Sequence, residues 1–190
     1  YDHSGVDVRG LFRVAKGLLT ANTSAGGGST ISQQLAKMLV ANPQRIDYYD
    51  RYQEIIDAYN AEQNRATIEK TFMDLMELAS SLDTEQQRYV REGFSSDEEL
   101  SVYDLLFSEN LTKQEIETIK KVSVDLLTKI KQQIAKLDHW TDKQETKAIV
   151  DNLIRNTLWQ ELPNSYDVSD IQTYQKKIYE YVYMRYPEVA

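Results

Sequence analysis

Ahead of five runs with helical periodicity a serine or threonine stands three residues before a glutamate or glutamine: Thr84 with Gln87, Ser96 with Glu99, Thr112 with Glu115, Thr141 with Gln144 and Ser169 with Gln172. At that spacing the hydroxyl accepts from the third amide of a helix while the longer side chain reaches back to the capping amide. Two donors that a helix start leaves without partners are then met together. Each pair predicts a helix start, and between the pairs apolar residues recur every three or four positions. No stretch alternates with period two for more than a few residues, so strands are not expected. The chain is predicted to be all-α, an irregular multi-helix bundle of about eight or nine helices.

The longest helix is expected from Leu111 to about Leu137, with Ile116, Ile119, Leu126, Ile130, Ile134 and Leu137 along one seam. Helices are also expected from Thr141 to about Gln160, burying Ile149, Leu153, Ile154 and Leu158, and from Ser169 to Arg185, presenting Ile171, Tyr174, Ile178, Tyr181 and Val182. Between Arg65 and Leu82 the residues Ile68, Phe72, Leu75, Met76, Ala79 and Leu82 form one apolar face, read as core. Gly93 is placed to end the helix that carries Arg88 and Val90. His139 and Trp140 read as structural residues at a bundle corner.

The stretch NPQRIDYYDRYQEIIDAYN, Asn42 to Asn60, begins another helix. Asn42 is expected as its N-cap and Pro43 at the first helical position, where a missing N–H costs nothing. Ile46, Tyr49, Ile56 and Tyr59, with Tyr52 or Gln53 between them, give the expected apolar stripe. Tyrosine joins an apolar body to a polar tip, so this helix suits either a core boundary or an interface.

Charge divides unevenly. Residues 1–41 hold four basic and two acidic residues, whereas residues 42–190 hold 18 basic and 28 acidic, a net charge of −10. Nucleic-acid binding rests on neutralising phosphates with Lys and Arg, so the larger part is a poor DNA-holding surface and a protein partner is favoured. With 41% hydrophobic residues the chain can bury a core, and no apolar run is long enough to span a membrane, so a soluble protein is expected. There are no cysteines, which fits a cytoplasmic location, and two histidines are too few for a His-based metal cluster. No phosphate-binding loop of the G-x-x-x-x-G-K-[ST] type occurs. Asp138 with Glu145 and Lys147 has the composition of a nuclease metal site, but the block reads as helix and the pair as a solvated face.

The Asn42 helix with the following EQNRATIEKTFMDLMEL, the run LTKQEIETIKKVSVDLLTKIKQQI, the block DHWTDKQETKAIVDNLIRNTL and the segment ELPNSYD together resemble, in order, the C-terminal helical region of type I restriction enzyme R subunits. The resemblance covers residue 42 to about residue 186. It implies a parent subunit that cleaves and translocates DNA with ATP and Mg²⁺, and a helical region that docks it onto methyltransferase and specificity subunits. It implies no cofactor and no catalysis in this chain alone, and contact with DNA only through the parent complex. Arg45, Tyr48, Tyr49, Arg51, Tyr52 and Tyr59 would then line the subunit interface.

Before that region, residues 6–21 read as a helix stopped by Asn22 and the Gly26–Gly28 run, and Ser29 caps a second helix from Thr30 to about Val40. Here HSGVD, residues 3–7, and GGGSTISQQLAK, residues 26–37, look like the peptidoglycan glycosyltransferase domain of class A penicillin-binding proteins. The resemblance implies that Ser29, Thr30, Gln33, Gln34 and Lys37 line a cleft for the pyrophosphate and sugars of a lipid-linked substrate. A glycine-flanked helix N-terminus offers free N–H groups to phosphate, and Lys37 adds a point charge. Met38 stands where that family usually has asparagine, and the family's catalytic glutamate would fall five residues before Tyr1, so binding without turnover is expected. The chain is thus divided at residues 41 and 42 into a glycosyltransferase-like segment and a helical domain. Three functions follow: a restriction-complex docking domain, a glycosyltransferase segment that binds lipid-linked substrate, and a general helical protein-interaction module.

Overall fold

A computed structural model describes residues 35–36, 38–39, 42, 45–61 and 65–187. All of the regular structure among them is helical, in seven helices and with no strand, near but below the expected eight or nine. These are α1 (Ile46–Ala61), α2 (Arg65–Gln86), α3 (Arg88–Arg91), α4 (Asp97–Leu106), α5 (Lys113–Ile134), α6 (Gln144–Glu161) and α7 (Val168–Arg185). The helix expected over residues 6–21 lies outside the described residues. The chain forms two compact units, Tyr1–Gly93 and Phe94–Ala190. The expected division at residues 41 and 42 falls inside the first of them.

In the second unit α4 packs on α5, α5 on α6, α6 on α7, and α7 on α4, so four helices close a ring. Its core is the seam of α5, where Ile119, Val122, Leu126, Leu127, Ile130 and Ile134 are all buried. Ile154 and Leu158 of α6 and Ile171, Ile178, Tyr181 and Val182 of α7 are buried as expected. On α6 the expected Ile149 is 43% exposed, and Val150 and Thr157 take inward places instead. Val150, Ile154, Thr157 and Leu158 follow a three- and four-residue rhythm of their own, so the buried face is rotated by about one residue.

Two of the five expected capping pairs cap where they stand. Thr112 and Glu115 form a complete reciprocal box, and the Ser96 hydroxyl accepts from the Glu99 amide. Thr84 instead lies inside α2 and its hydroxyl donates to the Ser80 carbonyl, because the helix runs on to Gln86. Thr141 donates to the Pro187 carbonyl while α6 starts at Gln144. The last box is made two residues earlier than expected, by Asp167 and Asp170. A carboxylate, being charged, accepts the orphan amide more strongly than the Ser169 hydroxyl can. Gly93 ends the α3 turn at φ +84, in the left-handed region that favours glycine, with its amide on the Val90 carbonyl.

Helix C-termini leave carbonyls without partners, and here distant aromatic side chains supply donors. The Tyr166 hydroxyl donates to the Leu106 carbonyl at 2.7 Å, and Trp140 Nε1 to the Tyr186 carbonyl at 2.6 Å. Trp140 is 1% exposed and meets Tyr179 and Tyr183 edge-on, as expected for a bundle corner, while His139 beside it is exposed. Burial pushes the Tyr166 hydroxyl's pKa above its ordinary value and that of Tyr181 up to about 12.

Glu98 on α4 is the electrostatic junction of this unit. Its carboxylate accepts from Lys131 Nζ on α5 and lies 3.6 Å from Arg185 Nη2 on α7. Burial alone would raise the Glu98 pKa, but the Lys131 hydrogen bond and charge, with Tyr186 and Arg185, outweigh it and hold the pKa below its ordinary value. A carboxyl whose folded pKa is depressed contributes stability above its unfolded pKa and loses it as pH falls through the folded one. Acid unfolding of the chain should therefore gain a component below about pH 4.5. In Glu98→Gln, denaturant midpoints measured across that window should change less with pH than in the unaltered protein.

Candidate functional site

The first unit is organised around a helical hairpin. α1 packs along α2, and their shared core holds Ile55, Leu78 and Leu82, with Tyr48, Tyr52 and Leu75 packed against it. Leu35 and Met38, in the helical residues ahead of α1, belong to the same core. Met38 is 3% exposed, so the position that differs from the glycosyltransferase pattern is an apolar core position here. The Asn42 amide donates to the Met38 carbonyl, and the Asn42 carbonyl accepts the Arg45 amide. A helical turn that takes in Arg45 leads into α1 at Ile46, and Pro43, expected at the first helical position, lies outside the described residues.

Ile55 is the buried residue of α1, with half-buried Tyr48 and Tyr52 packed beside it; Tyr52 belongs to the expected stripe, whereas Ile46, Tyr49, Ile56 and Tyr59, also half-buried, lie outside that cluster. Both sets keep helical spacing. With tyrosines at 48, 49, 52 and 59, periodicity alone does not choose between the two phases. α2 departs further: Leu78 and Leu82 are fully buried, but Ile68, Phe72 and Met76, expected as core, are exposed.

Arg45 is 4% exposed, and its Nε lies 2.9 Å from Glu85 Oε1 at the far end of α2. Arg88 Nη1 approaches the same oxygen at 3.5 Å. Burial first, and the Glu85 charge second, push the Tyr48 hydroxyl's pKa above its ordinary value. Glu85 and Arg88 are an i, i+3 pair, but no spacing rule links either to residue 45, so the long-range part of this network left no trace in the sequence pattern. Arg51 makes a second bridge between the helices, to Glu77 at 2.9 Å, with side chains 44% and 69% exposed.

Between α1 and α2 lies a cavity of about 590 Å³, lined by Arg51, Glu54, Ile55, Ala58 and Ala61 from α1 and Thr67, Lys70, Thr71 and Asp74 from α2. The small side chains of Ala58 and Ala61 leave the groove, and two cations, two carboxylates and two hydroxyls edge it. Such a lining can hold a polar ligand by charge and hydrogen bonding. Among the described residues no cluster of His, Asp and Glu suits a metal ion, and no helix is long and apolar enough to cross a membrane. Glu145 of the nuclease-like trio lies in the first turn of α6, and Lys147 on the same helix sits 5.7 Å from the Tyr183 ring centroid.

Of the six residues expected at a subunit interface, Arg45 faces inward, Tyr48 and Tyr52 pack on the core, and Tyr49 reaches Gln53. Arg51 is exposed and lines the groove, and Tyr59 is half-buried. Ser29, Thr30, Gln33, Gln34 and Lys37 lie outside the described residues.

Residues 1–85 match the family model of the transglycosylases. No curated protein and no solved structure matches the chain. The match ends one residue before α2 does and within the first compact unit. It overturns the expectation of a restriction enzyme subunit. The finding points to peptidoglycan synthesis rather than restriction-modification, endonuclease action or DNA, and away from methyltransferase and specificity subunits as partners.

The two ion pairs of the hairpin differ in burial and so in weight. Arg45→Ala leaves a buried carboxylate short of its main partner and should cost about 3–5 kcal/mol. Arg51→Ala, at an exposed pair, should cost no more than about 1 kcal/mol. Urea unfolding of the two variants, followed by circular dichroism, measures the contrast.

Proposed function

We propose that the first part of this chain is a segment of a peptidoglycan glycosyltransferase that binds the lipid-linked substrate. The transglycosylase match over residues 1–85 carries the reading. The run GGGSTISQQLAK lies inside the matched residues, and its residue types suit the chemistry. Three glycines let backbone approach a phosphate closely, Ser29 and Thr30 supply hydroxyls at the helix start that the sequence predicts, and Lys37 supplies a positive charge. In this reading Ser29, Thr30, Gln33, Gln34 and Lys37 hold the pyrophosphate and the adjoining sugar. The apolar residues interleaved with them serve the fold: Leu35 and Met38 enter the core shared with α1 and α2.

The test uses the whole 190-residue chain and a soluble lipid pyrophosphate analogue in isothermal titration. Saturable binding is expected, and Lys37→Ala should weaken it roughly tenfold, the scale of one hydrogen bond to a charged group. Absence of binding, or binding that Lys37→Ala leaves untouched, would contradict the assignment.

A further inference from the structure

α2 carries two groups of apolar residues, and the hairpin core uses only one. Leu75, Leu78 and Leu82 serve the core, whereas Ile68, Phe72, Met73 and Met76 are 48, 66, 70 and 59% exposed. On a helix that turns about 100° per residue, Ile68, Phe72 and Met76 stand above one another within about 80° of arc, and Met73 lies beside them. A contiguous apolar row of this kind marks an interaction surface far more often than scattered single residues do. Phe with two methionines makes it deformable, because the unbranched thioether side chain moulds itself to an incoming surface.

The surrounding charge says what fits. α2 has five carboxylates against two cations along its length. Glu69 and Asp83 are exposed in the same sector as the apolar row. Glu77 is exposed as well and bridges to Arg51, while Lys70 lines the groove toward α1. A second copy of this face would bring carboxylates against carboxylates, and an anionic lipid surface would meet the same repulsion. We propose that the exposed face of α2 docks a basic amphipathic helix of a partner protein, its apolar side on Phe72, Met73 and Met76 and its lysines or arginines on Glu69 and Asp83. None of these residues is among those assigned to lipid-linked substrate, and the proposal stands independently of that assignment.

The experiment titrates two synthetic amphipathic peptides into the full chain by calorimetry, one of leucine and lysine, the other of leucine and glutamate in the same helical pattern. The lysine peptide is expected to bind one to one, at least about tenfold more tightly than the glutamate peptide, and to weaken as salt is raised. Phe72→Ser should reduce its affinity at least about tenfold, whereas Trp159→Ser, at an exposed aromatic of the second unit, should not. The paired change Glu69→Lys with Asp83→Lys keeps the apolar row and should reverse the peptide preference, which tests the proposal without truncating Phe72. Equal binding of both peptides, indifference to both sets of changes, Phe72-dependent dimerisation of the chain, or Phe72-dependent binding to anionic vesicles in place of the peptide would each overturn it.

Discussion

A charge kept from water determines the form of the first unit. Arg45 is almost wholly buried, and an arginine cannot shed its proton to escape the cost. It needs a carboxylate at the right place, and Glu85 supplies one from the last turn of α2, forty residues on. That pair fixes where α1 starts relative to where α2 ends. The register along the hairpin then brings Ile55 against Leu78 and Leu82, leaves room beside Ala58 and Ala61 for the groove, and turns Ile68, Phe72 and Met76 outward. Leu35 and Met38 join the same core, so the residues next to the glycine-rich run are tied to the hairpin by packing.

The second unit is built on a different principle. Its strength is apolar, concentrated on the single long seam of α5, and its polar groups are used at the ends of helices. Tyr166 and Trp140 each close a carbonyl that the helix geometry leaves open, and Glu98 joins α4, α5 and α7 by charge. The family match, over residues 1–85, does not reach this unit.

The all-helical fold was legible in the sequence because capping chemistry and periodicity are local. Thr112 with Glu115, Gly93 and the α5 seam were readable for that reason. What failed was phase and partner. The tyrosines of α1 allow two stripes, and the apolar residues of α2 spread over more arc than one core can cover, so half of that face went outward. The capping pairs at Thr84, Thr141 and Ser169 lost to a longer helix, a tertiary hydrogen bond and a stronger acidic cap. Long-range ion pairs such as Arg45 with Glu85 leave no spacing signature. Of the two resemblances, the ordered helical blocks led toward restriction enzymes and were corrected by the family match, while the compact GGGSTISQQLAK run pointed to the family that matches.

Hydrogen exchange read by mass spectrometry, on the full chain with and without a lipid pyrophosphate analogue, tests substrate recognition by the first unit most directly. The expected result is slowed exchange in peptides covering residues 26–37, with residues 94–187 unchanged. Slowing confined to residues 94–187, or none anywhere at saturating analogue, would contradict a substrate-binding role for the glycine-rich run.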